Sequence, residues 1–204
     1  METIPDNDEN GFIRRLAEQY NVSLRFEPLG EGVRGYKIDS EIVLNEHNPP
    51  ERRNWTFCHE LGHIVLGHSM TPTDAEEREA DQFASETMLP QRDFIPDSGD
   101  IELDKLKNLY PHASYEVLAR RSLQFARGVV TIFDGEHLTA RMGSDDINFP
   151  PAPIQEEMDA FRECCEKKAD CVKTAKDLTI NSYYVDQGRS VVRIFLVTHP
   201  LVDV

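Results

Sequence analysis

Apolar residues recur at helical spacing from the first turns of the chain. Phe12, Ile13, Leu16, Ala17 and Tyr20 mark an amphipathic helix, with Asn10 placed to cap it and Asn21 to close it. Val22-Ser23-Leu24-Arg25-Phe26 switches to strict alternation, the period of a strand with one buried face. Beyond the turn Gly30-Glu31-Gly32, residues 35–38 and 41–44 read as a hairpin around Asp39-Ser40. Scaffold sheet is the plain reading of this region; an edge strand for an extended peptide is the functional one. Asn48-Pro49-Pro50-Glu51 opens a helix, with Asn48 as cap, Pro49 in the first turn and Glu51 three residues after the cap. Trp55, Cys58, Leu61 and Val65 turn inward on it, and Gly67 suits a left-handed stop.

Thr73-Asp74-Ala75-Glu76 has the pattern of a capping box and starts the next helix, which Pro90 ends. Ala80, Phe83, Ala84 and Met88 supply its apolar face, bordered by Glu79 and Glu86, while Glu76 and Glu77 fall in a solvated first turn. Two more helices are expected over 101–110 and 114–127. From Gly128 strands return: a hairpin of 129–133 and 136–141 with a type I′ turn at Asp134-Gly135, and a second of 178–185 and 189–197 turned at Asp186-Gln187-Gly188. Between them the rigid Pro150-Pro151-Ala152-Pro153 precedes an amphipathic helix from about 154 to 172. The pattern predicts an α+β protein: residues 1–127 as a domain of helices with a small mixed sheet, and 128–204 as a smaller α+β region.

Composition narrows the function classes. The chain of 204 residues is long enough to bury a real core, and its net charge of −15 argues against a general polyanion-binding surface. No apolar run approaches a membrane span, so no membrane partner is expected. The acidic start Met-Glu-Thr-Ile-Pro-Asp-Asn-Asp lacks an apolar signal region, so the expected location is cytoplasmic, with Cys58, Cys164, Cys165 and Cys171 reduced. Cys164-Cys165-x5-Cys171 lacks the paired spacing of a metal site and reads better as packing on a helix. Arg120, Arg121 and Arg127 make a short basic stretch, better read as ordinary helix charges than as phosphate contacts.

The chemistry sits in His59-Glu60-Leu61-Gly62-His63. On a helix the two histidines stand one turn apart on one face, where two neutral imidazoles can hold one zinc ion with Glu60 beside the first ligand. Catalysis needs a third protein ligand and an open position, whereas a structural zinc takes four Cys or His ligands. Cys58 points to a different helix face. Two third ligands are conceivable. His68 reaches only if the chain folds back at Gly67; Glu79, on a helix joined by a short connection, is favoured. Gly62 costs roughly 1 kcal/mol against alanine in a helix interior, which points to close approach by a neighbouring element. Asp81 is a candidate to orient a ligand histidine, and Tyr110, His112 and Tyr115 are candidate oxyanion donors.

The stretch from Glu51 to His63, then Glu77-Arg78-Glu79-Ala80-Asp81-Gln82-Phe83-Ala84 and Met88-Leu89-Pro90, preceded by Ile42-Val43-Leu44-Asn45, resembles the ImmA/IrrE metallopeptidases over about residues 10–127. The resemblance implies a zincin-like fold with the active site between the two motif helices, zinc ligands His59, His63 and Glu79, and Glu60 as catalytic base. It further implies a zinc-dependent endopeptidase that cleaves a helix-turn-helix transcriptional repressor in stress, DNA-damage, phage-defence or mobile-element responses. Cys58 stands where the family commonly has alanine, and Asp81 where asparagine is frequent. Residues 128–204 carry no matching motif; relatives of similar size append a sensory module there, so single-stranded DNA or a small molecule is the expected trigger. The competing readings are a zinc-stabilised, non-catalytic module that sequesters a repressor or toxin, and a DNA-sensing regulator.

Overall fold

The computed structural model describes residues 9–91, 101–186, 188 and 192–200, so residues 1–8, Gln187 of the turn expected at 186–188 and residues 189–191 of the strand expected after it lie outside the described residues. The chain divides into two compact units, one of residues 1–94 with 107–117 and the other of 95–106 with 118–204. Among the described residues no helix is long and apolar enough to cross a membrane.

The first unit contains α1 (Gly11–Tyr20), β1 (Ser23–Glu27), β2 (Gly35–Ile38), β3 (Glu41–Asn45), α2 (Pro50–Val65) and α3 (Asp74–Met88). Its sheet has the order β1-β3-β2, with β1 parallel and β2 antiparallel to β3, the small mixed sheet that was expected. Ile42, Val43 and Leu44 are all fully buried, as a central strand with both faces covered requires. The Asn45 amide donates to the Val33 carbonyl at 2.9 Å and fastens the glycine-rich loop to the end of β3. Neither Asn10 nor Asn48 caps by its side chain; α2 starts after Pro49, and the Asn48 amide turns to the Arg34 carbonyl at 3.3 Å.

On α2 the inward face is Phe57, Cys58 and Leu61, all fully buried, whereas Val65 is 45% exposed. Burial also pushes the Cys58 thiol far up, out of the reactive range. Arg53 is buried on the same helix, bonded to the Glu46 carbonyl at 3.2 Å and to Glu9, and Asn54 holds the His112 carbonyl at 3.0 Å. The capping box at Thr73 forms as expected: the Thr73 hydroxyl accepts from the Glu76 N–H at 3.3 Å, and Glu76 accepts from the Thr73 N–H at 2.7 Å. α3 then packs directly on α2. A Cβ on Gly62 would stand 3.2 Å from the Ala80 Cα and from the Phe83 Cβ, so any larger residue would have to push α3 away by a few tenths of an ångström.

The helices α4 (Leu103–Leu109) and α5 (Tyr115–Ser122) contribute residues to both units. α5 is shorter than expected. After Ser122 the chain tightens into turns, with Phe125 N–H on the Ser122 carbonyl at 3.0 Å, while the Ser122 hydroxyl bonds back to the Leu118 carbonyl at 2.8 Å. The second unit adds β4 (Val129–Asp134), β5 (His137–Gly143), α6 (Gln155–Lys167), β6 (Cys171–Ala175), β7 (Leu178–Val185) and β8 (Arg193–Pro200).

These strands form one antiparallel sheet of order β5-β4-β8-β7-β6, in which the two expected hairpins join along β4 and β8. The expected helix to 172 ends early because Lys168 turns left-handed, with φ 50, and Cys171 begins β6. Cys164 and Cys171 pack with Phe133, Phe161, Ile180, Ile194 and Leu196, and burial pushes the Cys164 thiol up to about 12. The carboxylate of Glu157, buried under α6, meets Arg141 at 3.0 Å, the Thr198 hydroxyl at 2.7 Å and the Ile154 N–H at 2.8 Å, so its charge is satisfied. Arg121 is buried and Arg127 pairs with Asp146 at 3.1 Å, so the short basic stretch presents no common exposed face.

Candidate metal centre

α2 fixes His59 and His63 one turn apart, and their Nε2 atoms converge to 3.1 Å. Glu77, in the first turn of α3, closes the group: its Oε2 lies 3.2 Å from His59 Nε2 and its Oε1 3.8 Å from His63 Nε2. The three ligand atoms lie within 4.8 Å of one another, and no other group of His, Cys, Asp and Glu does so among the described residues. His63 is buried, His59 half-buried and Glu77 open to solvent, so the cluster is reachable from one side.

The outer nitrogens test whether a cation fits. His59 Nδ1 lies 2.9 Å from Asp81 Oδ1, and His63 Nδ1 lies 2.9 Å from His68 Nδ1. With the ring hydrogens assigned to these outer nitrogens, two Nε2 lone pairs and a carboxylate face one another with no proton between them. Such a set is repulsive by itself and suits a divalent ion at its centre. Two nitrogens and one oxygen at bonds of about 2.0–2.2 Å are an ordinary zinc donor set. Burial first, and then the neighbouring His59, hold the His63 imidazole below the usual histidine range, which keeps it in the neutral form a metal requires.

Glu60 stands beside the first histidine on α2. Burial raises its carboxyl above the usual glutamate range, and His59 and Lys37 pull it partly back. The backbone N–H of Lys37, on β2 at an edge of the three-stranded sheet, lowers it a little further.

Of the residues singled out in the sequence, the structure brings together His59, Glu60 and His63. It brings Glu77, and not Glu79, to the histidine pair. Residues two apart on a helix are turned about 200° from each other, so Glu77 and Glu79 cannot serve the same side. The Glu79 carboxylate lies instead 3.1 Å from His68 Nε2. The signal that identifies Glu77 is its spacing from Asp81: carboxylates at i and i+4 on α3 share a face, just as the histidines do on α2. Asp81 meets the outer nitrogen of His59. His112 has other partners, its ring stacked on Phe12 with centroids 4.0 Å apart and its Nε2 3.0 Å from the Met88 carbonyl. Tyr110 lies edge-on to His112, and Tyr115 faces the Lys107 ammonium.

A small mixed sheet, a helix bearing His-Glu-x-x-His and a following helix that adds a carboxylate together define a zincin-like metallopeptidase domain. Residues 10–123 match the family of peptidase M78, described as the IrrE N-terminal-like domain, and the chain belongs to that family. Among solved structures, a Mycobacterium tuberculosis transcriptional regulator is similar at 14% identity and a TM-score of 0.62, over 93% of this chain and 69% of that one. At such identity the likeness is one of fold. No curated protein matches the sequence significantly.

Proposed function

We propose that this protein is a zinc-dependent endopeptidase that cleaves a helix-turn-helix transcriptional repressor in the cytoplasm and so relieves repression in a stress, phage-defence or mobile-element response. One observation carries the peptidase reading: the side chains of His59, His63 and Glu77 converge beside the half-buried Glu60. Zinc held by those three residues would supply a Lewis acid for the scissile carbonyl and for the attacking water. Glu60 takes the proton from that water and gives it to the leaving amine. A carboxyl raised by burial suits both halves of that task, because it accepts a proton more readily than an ordinary glutamate and can still release it. As an edge strand of its sheet, β2 can accept an extended stretch of substrate as an added strand.

The repressor as substrate follows from family membership, and the name of the M. tuberculosis protein of similar fold fits a regulatory setting. In this reading residues 1–127 carry the peptidase and 128–204 the regulatory region. The trigger at that region is single-stranded DNA or a small molecule. The test is incubation of the zinc-loaded chain with a helix-turn-helix repressor encoded beside it. A fragment should form, disappear with chelator, and be absent with Glu60→Gln although that variant still binds zinc. Cleavage by zinc-loaded Glu60→Gln at the unmodified rate would refute the mechanism.

A further inference from the structure

We infer that His68 is a positioning residue for the metal centre: it takes a hydrogen bond from the outer nitrogen of His63, is held in turn by Glu79, and thereby fixes the tautomer and ring orientation of that ligand. The inference rests on the reading of His59, His63 and Glu77 as metal ligands.

The device starts in the backbone. α2 ends with Leu66 as its cap and Gly67 left-handed at φ 70. The His68 N–H reaches back to the His63 carbonyl at 3.0 Å, and the Gly67 N–H to the Ile64 carbonyl at 3.2 Å. These are the two bonds of a Schellman motif, which folds the residue after the glycine over the residue three before the cap. An apolar pair usually fills that contact. Here two imidazoles fill it, with centroids 5.0 Å apart and the two Nδ1 atoms at 2.9 Å. The fold-back at Gly67 therefore happens, but it carries His68 to the outer side of His63 and away from the converging Nε2 atoms.

One proton assignment satisfies every link. A metal on His63 Nε2 requires the hydrogen on Nδ1. His68 Nδ1 must then be the acceptor, which puts the His68 hydrogen on Nε2, 3.1 Å from Glu79 Oε2. This is the metal-ready state of His63, and His68 selects it. His59 has its own partner in Asp81. The two links of the relay differ in strength: the His68 side chain is 5% exposed and that of Glu79 63%, so water competes for the second bond and hardly for the first.

The test uses the full chain, with zinc affinity read by chelator competition and ligand geometry by the visible spectrum of the cobalt(II) form. His68→Phe should weaken zinc by about 10- to 100-fold and shift the cobalt bands, which is the usual effect of removing a ligand's hydrogen-bond partner. His68→Asn, whose side-chain carbonyl can stand where Nδ1 stands, should restore affinity to within about fivefold and return the spectrum. Glu79→Gln should cost about fivefold or less in the unmodified protein, and nothing further in the His68→Asn background. Circular dichroism checks that each variant is folded. Unchanged affinity and spectrum in His68→Phe would overturn the inference. Equal losses for Phe and Asn would reduce His68 to packing and overturn it as well, and a loss as large as that of His63→Ala would make His68 a ligand. If the unmodified chain bound no zinc, or His63→Ala bound it equally well, the metal reading itself would fall.

Discussion

Glu77→Ala separates the two carboxylates that compete for the metal. Glu77 offers both oxygens to the site, at 3.2 and 3.8 Å from the two Nε2 atoms, whereas Glu79 is turned away onto His68. Zinc held by four protein ligands is bound by about 10–16 kcal/mol, so one ligand accounts for roughly 2.5–4 kcal/mol, a factor of up to about 700 in affinity. The substitution costs little else. Glu77 is an exposed position in the first turn of a helix, alanine is a good helix former, and the lost interaction with the helix dipole is worth about 0.3–1 kcal/mol. Glu77→Ala should therefore weaken zinc by up to several hundredfold with nearly unchanged folding stability, while Glu79→Ala stays within about fivefold. Competition against a chromophoric chelator at fixed pH measures both, the pH being held because the histidines must be neutral to bind. A loss in Glu79→Ala equal to that in Glu77→Ala would refute the assignment built on the convergence of Glu77 with His59 and His63.

Two further outcomes follow from the packing. Gly62→Val places a branched side chain where a Cβ alone already meets the Ala80 Cα and Phe83 at 3.2 Å, so it should cost about 1–3 kcal/mol in urea unfolding and weaken zinc as Glu77 moves off with α3; full zinc affinity in this variant would refute the proposed coupling. Burial pushes the Tyr183 phenol up to about 12, and its oxygen accepts the Leu103 N–H at 3.2 Å. The fold thus favours the neutral phenol, so its contribution is complete below the ordinary value near 10 and is lost as pH rises through about 12, a fall of up to roughly 2–3 kcal/mol. Alkaline unfolding of Tyr183→Phe should lack this part of the slope, and an unchanged slope would count against it.

Periodicity makes α1, α2 and α3 legible because each has an apolar stripe at helical spacing together with a turn residue that stops or starts it, such as Asn21, Gly67 or Thr73. It does not carry neighbour relations. Nothing in the alternation of Ser23 to Glu27 says that β1 runs parallel to β3 and so makes Ile42 to Leu44 a central strand. Likewise the apolar positions around Cys164, Cys165 and Cys171 fit a continuing helix, and the break comes from a left-handed lysine that leaves no mark in composition. The two outermost segments of the helical estimate, beyond Ser122 and beyond Lys167, fail for the same reason: hydrophobic spacing reports which face is buried and not where the backbone stops turning.

The metal site divides along the same line. His59, Glu60 and His63 are legible because all three ride on one helix, where spacing alone determines their geometry. The third ligand lies on another helix, and reach across a helix pair depends on how α3 is rotated about its own axis. That rotation is set by the contact at Gly62, where Ala80 and Phe83 press against α2. With Ala80 turned onto Gly62, Glu77 and Asp81 flank the contact on the side of the histidines, and Glu79 falls on the other side. A glycine in the middle of α2 and an alanine three residues after Glu77 thus decide which carboxylate meets the histidine pair.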